Sequence, residues 1–160
     1  MVEPGQAALQ EIVDEFGDQV LTADGHLDRA RLRERVFNHP QARQQLEGIL
    51  HPRIRAAMLL RAEQSQAPYV VFVIPLLFET GQQTLVDRIL LIDVPEELQR
   101  ARVAARDQLD DAQITRIMSA QTDRKTRLRN ADDIVCNDGD IAKLHAEIEK
   151  LHQKYMDQVE

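Results

Sequence analysis

Apolar positions along the chain follow two different periods, and each period predicts one kind of element. Near the start, Leu9, Ile12, Val13 and Phe16 follow the i, i+3, i+4, i+7 spacing of a helix with one buried face. Gly17 comes directly after them, where a glycine commonly ends a helix. The sequence therefore predicts a short amphipathic helix that ends at residue 16.

Capping residues and apolar stripes predict further helices. Asp28 can cap a helix whose buried face is Leu32, Val36 and Phe37, and Asn38 can cap the next one. His51-Pro52 is expected to interrupt that second helix, since the residue before a proline avoids the helical conformation. A new helix then begins at Pro52.

The second half of the chain predicts three more helices. One covers Leu98–Asp107, and Asp110-Asp111 can cap another with Ile114, Ile117 and Met118 facing inward. The last helix has one long apolar stripe. That stripe consists of Ile141, Leu144, Ile148, Leu151, Tyr155 and Val159.

Three short apolar runs predict strands: Tyr69–Ile74, Ile89–Val94 and Asp133–Cys136. The first is unbroken and rich in β-branched and aromatic residues, which favours a strand covered on both faces of a parallel sheet, and the second repeats this signal. Because strands and helices alternate, we expect an α/β fold with a parallel sheet flanked by helices. In such sheets ligands bind beyond the carboxyl ends of the strands, and Pro75–Glu79 follows the first run.

Composition narrows the class of protein. With 160 residues the chain predicts a single domain, 1–160, with a substantial core. A net charge of −7 argues against nucleic acid as the main partner. The single cysteine, Cys136, fits a reducing compartment, and we expect neither a membrane span nor a signal peptide. We therefore expect a cytoplasmic protein.

Residues 94–98 lead directly from the second predicted strand into a helix that carries Arg102 and Arg106. This layout resembles that of a nucleotide kinase between its fourth strand and its lid. Such a kinase wraps the amides of a Gly-x-x-x-x-Gly-Lys-Ser/Thr loop around the phosphates. All six glycines here are isolated and none precedes Lys-Ser/Thr. The resemblance therefore implies a P-loop NTPase-like kinase fold that lacks the first strand, the P-loop and the second strand.

Several motifs, in order along the chain, resemble the dephospho-coenzyme A (CoA) kinase family. Their order and spacing carry the resemblance, because each piece alone is weak. They are Val2-Glu3-Pro4-Gly5, Asp24-Gly25-x-Leu27-Asp28-Arg29-x-x-Leu32, Leu50-His51-Pro52, Pro75-Leu76-Leu77-Phe78-Glu79, the Arg102 and Arg106 pair, Gln121 with Lys125, and Ala131-Asp132-x-x-x-x-Asn137-x-Gly139. Cys136 departs from the family, whose members usually carry Asp or Asn there.

The resemblance implies an ATP- and Mg²⁺-dependent transfer of a phosphoryl group to the ribose 3′-hydroxyl of dephospho-CoA, the last step of CoA biosynthesis. It implies a helical acceptor-binding region at 5–65 and a lid region at 98–128. Family chains open with a strand, a P-loop, a helix and a strand ending in the catalytic base. We therefore expect an N-terminally truncated chain with no catalytic residues and no metal ligands of its own, and its ability to bind ATP and Mg²⁺ is doubtful.

Four residues are candidates for the nucleotide side. Arg102 and Arg106 lie one helical turn apart, so they can reach the same side, with one on adenine and the other on the phosphates. The alternative is a solvated helix whose arginines pair with Asp107 or Glu97. Asn137 and Gly139 can form a loop at the adenine edge, or merely the turn that starts the last helix.

The acceptor side draws its candidates from three places. Pro75, Leu76, Leu77 and Phe78 can shape a pocket, and Glu79 can accept a hydrogen bond from a hydroxyl group or fix a nearby arginine. An ordinary strand-to-helix turn is the alternative.

Two further candidates come from the helical region. His51 can contact the acceptor or support a helix junction. Arg29 can bind an anionic group or lie on a solvated face.

Two functions stay open at this point. The chain is either part of a dephospho-CoA kinase that is inactive by itself, or a non-catalytic relative that binds dephospho-CoA, nucleotide or a partner chain. In kinases of this type the first strand lies between the strands that correspond to Tyr69–Ile74 and Ile89–Val94. We expect an exposed gap there, which another chain can fill in a homo-oligomer or by strand exchange.

Overall fold

The computed structural model describes residues 2–37 and 39–159, and these fall into two compact units that meet in sequence between Val70 and Val71. The first unit is helical, with α1 (Ala7–Phe16), α2 (Arg29–Phe37) and α3 (Pro40–Glu63). The second contains β1 (Leu90–Asp93), α4 (Glu96–Asp107), α5 (Asp111–Ser119), α6 (Arg124–Asn130), β2 (Asp133–Cys136) and α7 (Ile141–Val159).

The core of the first unit lies among α1, the turn at residues 18–20, α2 and α3. Ile12, Phe16, Val20 and Leu32 are buried together, which confirms the inward face that was predicted for α1. Removing these side chains from water is the main force that holds such short helices, since isolated helices of this length are marginal. Apolar side chains of α3 pack around this cluster.

Local signals set the ends of these helices. Gly17 follows α1 with φ of 82°, a conformation that favours glycine, and its N–H donates to the carbonyl of Val13. The Asp28 carboxylate accepts from the backbone amides of Ala30 and Arg31, as predicted. Phe37 was expected to face inward, but 79% of it is exposed, because only Leu32 and Val36 of that stripe reach the core.

The prediction that His51-Pro52 interrupts a helix is wrong, because α3 runs without a break through Pro52. Proline removes one backbone donor and crowds the carbonyl four residues earlier, which here belongs to Gly48. The Arg53 guanidinium donates to the Ile49 carbonyl at 2.8 Å and also bonds Glu11 on α1. Tertiary contacts on this turn therefore outweigh the local preference. The predicted cap at Asn38 lies outside the described residues.

The second unit contains a parallel pair of strands, β1 and β2, with Leu90 opposite Asp133 and Asp93 opposite Cys136. This confirms two of the predicted strands and their parallel direction. Helix α7 packs on β2, and α4 packs on α5. Ile92 and Ile134 are about half exposed, so the expectation that Ile89–Val94 is covered on both faces is wrong.

The prediction of a strand at Tyr69–Ile74 is also wrong. Within the described residues the sheet contains only β1 and β2, and the segment carries no strand assignment. Val71 and Val73 are 65% and 86% exposed. A β-branched run becomes a strand only when a neighbour pairs with its backbone, and none of the described strands lies beside it.

Among the described residues, no helix combines the length and the apolar character needed to cross a membrane.

Candidate functional site

A cleft of about 220 Å³ opens in the second unit between residues 74–79 and residues 89–94. Pro75, Leu77, Phe78 and Glu79 line one side of it, so four of the five predicted acceptor-side residues of this segment come together. Leu76 is not part of the lining and is about half exposed. The cleft thus combines an apolar wall with a carboxylate.

The wall holds its shape through a series of turns. Thr80 and Gln82 donate their backbone N–H groups to the carbonyls of Leu76 and Leu77, at 3.1 and 3.0 Å. Gly81 adopts a left-handed conformation with φ of 66°, which glycine tolerates without steric cost. The short spacing between Pro75 and Gly81 explains why the chain turns here directly after the apolar run.

Glu79 is held from the lid side of the cleft. Its carboxylate accepts the backbone N–H of Thr122 at 2.5 Å, and the carbonyl of Thr122 accepts from the Arg127 guanidinium. Burial raises the pKa of Glu79, but the hydrogen bonds from Thr122 and the charge of Arg127 outweigh it, so the pKa lies below its ordinary value. Glu79 is therefore a carboxylate at neutral pH, able to accept but not donate hydrogen bonds.

Polar groups complete the lining. Gln99, Gln121 and Arg127 face the cleft from α4, from the segment before α6 and from α6 itself. A ligand in the cleft would meet one guanidinium, two amides and the two carboxylates of Glu79 and Asp93, set among apolar side chains. Small-molecule sites commonly combine apolar side chains with a few polar groups that fix orientation.

Two of the predicted nucleotide residues lie in contact. Arg102 on α4 donates to the carbonyl oxygen of Asn137 at 3.0 Å, and Asn137 donates its own N–H to the carbonyl of Asp93 at 2.8 Å. The loop that follows β2 is therefore tied both to the end of β1 and to α4. Arg102 supports this loop directly.

Arg106, in contrast, forms an ion pair with its neighbour in the sequence. It bonds Asp107 at 2.8 and 2.6 Å, and 75% of its side chain is exposed. The guanidinium lowers the pKa of Asp107 through this hydrogen bond. Arg106 thus adopts the ion pair that was the alternative to phosphate binding, and an incoming phosphate would have to displace Asp107.

Gly139 lies in open surroundings. Its φ is 131°, and a Cβ added there would meet no atom within 4 Å. Asp140 follows it and accepts from the amides of Ala142 and Lys143 at the start of α7. The loop can therefore approach a ligand through its bare backbone while its end is fixed by a helix.

The remaining candidates, Arg29 and His51, belong to the first unit. Arg29 is the first residue of α2 and is exposed, and His51 is exposed on α3. The arginine with described contacts on α2 is Arg31, which pairs with Asp28 at 3.1 Å. The roles assigned to Arg29 and His51 stay predictions.

The ion pair between Asp93 and Arg124 is not among the contacts predicted from the sequence. Asp93, the last residue of β1, is only 6% exposed and receives two hydrogen bonds from Arg124, at 2.9 and 2.5 Å. A signal was present, because Asp93 is the one charged residue inside the apolar run 89–94. A carboxylate buried in such a run requires a cationic or hydrogen-bonding partner.

No group of three or more His, Cys, Asp or Glu side chains suited to a metal ion occurs in residues 2–37 and 39–159.

Comparison with known proteins gives a consistent result. The family model described as dephospho-CoA kinase matches residues 1–143. The chain is 47% identical to the dephospho-CoA kinase of Shewanella oneidensis, over 98% of this chain and 76% of that one. It is also 47% identical to the enzyme of the same name from Acinetobacter baylyi, over 98% of this chain and 80% of that one.

Solved structures agree. Dephospho-CoA kinase from Campylobacter jejuni superposes with a TM-score of 0.70 at 29% identity, covering 98% of this chain and 80% of that one. A crystal structure from Thermus thermophilus gives a TM-score of 0.74 at 27% identity, covering 91% and 75%.

Proposed function

The chain belongs to the dephospho-CoA kinase family. We propose that it supplies the acceptor-side, lid and adenine-edge parts of a site for the ATP-dependent phosphorylation of the 3′-hydroxyl of dephospho-CoA. The observation that carries the proposal is the cleft lined by Pro75, Leu77, Phe78 and Glu79. In this cleft the family motif at residues 75–79 faces polar groups of the lid region, 98–128.

The acceptor side can recognise its ligand by shape and by hydrogen bonding. Leu77 and Phe78 offer apolar contact, and the Glu79 carboxylate keeps acceptor capacity beyond the Thr122 amide. A ribose hydroxyl donates readily to such a carboxylate. We propose that Glu79 also positions the lid region through Thr122.

The nucleotide side is proposed to consist of Arg102, Asn137, Gly139 and Arg106. Arg102 and Asn137 stabilise the loop, and Gly139 allows a base to approach its backbone. Arg106 can bind a phosphate once its hydrogen bonds to Asp107 are broken. ATP is the phosphoryl donor in this family, and bound Mg²⁺ would neutralise charge on the transferred group.

By itself, the 160-residue polypeptide is proposed to bind ligands but not to transfer phosphate. Its sequence contains no Gly-x-x-x-x-Gly-Lys-Ser/Thr loop, and its described residues include no group of three or more His, Cys, Asp or Glu side chains suited to a metal ion. Losing one major transition-state contact already lowers a rate by roughly 10²–10³, and several such contacts belong to that loop. The same facts support the second candidate, a non-catalytic relative that binds dephospho-CoA, nucleotide or a partner chain.

The experiment that tests this proposal combines two measurements on the same protein. Calorimetric titration with dephospho-CoA should show weak binding, which the paired substitution Glu79→Ala with His51→Ala should reduce further. A coupled ADP-release assay should stay at background. Glu149→Ala, a charge removal on α7, serves as the control for binding. Turnover typical of kinases would refute the proposed inactivity, and binding unaffected by the paired substitution would leave both residues structural.

A partner chain is also proposed. Within the described residues β1 pairs only with β2, and the cleft opens along residues 89–94. We propose that a second copy adds its apolar segment 71–74 there as a strand, giving a homo-oligomer. The single, unbridged cysteine supports a reducing compartment, and we propose the cytoplasm.

A further inference from the structure

We propose that Asp93 is a positioning residue, which fixes the return of the lid region and the adenine-edge loop as one unit and thereby sets nucleotide affinity. The inference rests on the proposed function for its consequence, since it assigns residues 137–139 to the nucleotide. Its structural basis is a chain of four residues inside the second unit. These residues are Arg124, Asp93, Asn137 and Arg102.

The first link is the ion pair between Asp93 and Arg124. Both carboxylate oxygens accept, from Nε at 2.9 Å and from Nη2 at 2.5 Å. A two-pronged pair of this kind fixes direction as well as distance. Arg124 is the first residue of α6, so the pair holds the point at which the lid region returns to the sheet.

The second link uses the backbone of the same residue. The carbonyl oxygen of Asp93 accepts the N–H of Asn137 at 2.8 Å. The side chain and the main chain of one buried residue therefore hold two different segments. A displacement of Asp93 must change both.

The third link connects Asn137 to the other end of the lid region. Arg102 on α4 donates to the carbonyl of Asn137 at 3.0 Å. Helix α4 forms the start of the lid region and α6 forms its end. Both ends are thus tied to the carboxyl edge of β1 and β2, through Asp93 on one side and Asn137 on the other.

Burial distinguishes the Asp93–Arg124 ion pair from an exposed ion pair nearby in the sequence. The Asp93 side chain is 7% exposed, whereas that of Asp111, which pairs with Arg100 at 2.5 Å, is 85% exposed. Exposed pairs contribute little because water screens them, while a buried carboxylate that loses its partner is costly to leave in place. Removing Arg124 should therefore force Asp93, and Asn137 with it, into a new position.

The test compares Asp93→Asn, Arg124→Gln and the double variant, with Arg124→Lys as the conservative change. Asp157→Asn on α7 is the control, since that carboxylate accepts from Gln153 on the surface. Two quantities are measured, ADP affinity by calorimetry and amide hydrogen exchange at residues 121–127 and 137. We expect each single variant to weaken ADP binding by about tenfold, equal to about 1.4 kcal/mol. The double variant should be no weaker than the singles, and Arg124→Lys should fall in between.

The exchange measurement separates this inference from the proposed function. Arg124→Gln should speed exchange of the Asn137 amide, which Arg124 does not contact directly, and leave α7 unchanged. If the wild-type chain fails to bind ADP, the proposed nucleotide side is wrong, and exchange at Asn137 still decides the inference. Unchanged exchange at Asn137 in Arg124→Gln, or unchanged ADP affinity in a wild-type background that binds, would overturn it.

Discussion

The phenol of Tyr155 donates to a carboxylate oxygen of Asp133 across 2.9 Å, and this contact joins α7 to β2. Asp133 is only 8% exposed and also accepts from Arg88 and Lys154. The carboxylate of Asp133 is therefore the centre of a polar cluster that joins β2, α7 and the segment just before β1. This cluster helps to fix the last helix to the sheet.

Tyr155 should titrate far above an ordinary tyrosine. Burial, the hydrogen bond to Asp133 and the charge of that carboxylate raise its pKa from 10.0 to about 12. Because the folded-state pKa lies above the unfolded value, the stabilisation is complete below about pH 10 and is lost as pH rises through 12. Ultraviolet absorbance of the phenolate measures this, with Tyr155→Phe identifying the signal. A transition of Tyr155 that stays near 10 would contradict the cluster.

Asp133 should make the fold sensitive to acid. Burial raises its pKa, but hydrogen bonds from Lys154, Tyr155 and Arg88 outweigh this, and the pKa falls below its ordinary value of 3.8. The resulting stabilisation is present above about pH 4 and is lost as pH falls through the lower, folded-state pKa. Asp133→Asn should lower the free energy of unfolding at neutral pH by about 1–3 kcal/mol and flatten its acid dependence. Urea unfolding at several pH values measures this. If the cluster does not stabilise the fold, Asp133→Asn would show the same acid dependence of the free energy of unfolding as the wild-type chain.

The capping box of α5 gives a local test. Asp110 accepts from the amide of Gln113 at 2.7 Å, and the Gln113 side chain accepts from the Asp110 amide at 2.9 Å. Asp110→Ala should therefore cost about 1 kcal/mol of stability. Asp110→Ser, which can still cap, should stay close to the wild-type value. Equal losses for both variants would assign the effect to something other than capping.

What could be read from sequence was mostly local. Gly17, Asp28 and Asp110 end or begin helices through contacts within a few residues, so their positions in the chain are sufficient. The contacts of Asp93 with Arg124 and of Glu79 with Thr122 span 31 and 43 residues. Such pairs depend on how elements pack, and no local pattern specifies them.

Pro52 shows tertiary structure overriding a local rule, and it yields a prediction. A proline inside a helix costs roughly 3 kcal/mol, of which at most about 1 kcal/mol is offset by restricting the unfolded chain. Pro52→Ala should therefore raise the free energy of unfolding of the first unit by about 1–3 kcal/mol. Circular dichroism during urea unfolding measures this, with Arg55→Ala on the exposed side of α3 as the control. A destabilised Pro52→Ala variant would contradict this prediction and mean that the proline itself contributes to packing in the first unit.

The exposed run after residue 70 predicts self-association. Val71 and Val73 present β-branched side chains to solvent and belong to no described strand, so their backbone groups are available to pair with another chain. Light scattering over a concentration series should show an oligomer that Val73→Lys shifts towards monomer, because a charged side chain opposes edge-to-edge pairing. Val159→Lys, about half exposed at the end of α7, changes charge equally and should leave the oligomer intact. A wild-type chain that stays monomeric at every concentration, or equal effects of both lysines, would refute pairing through this segment.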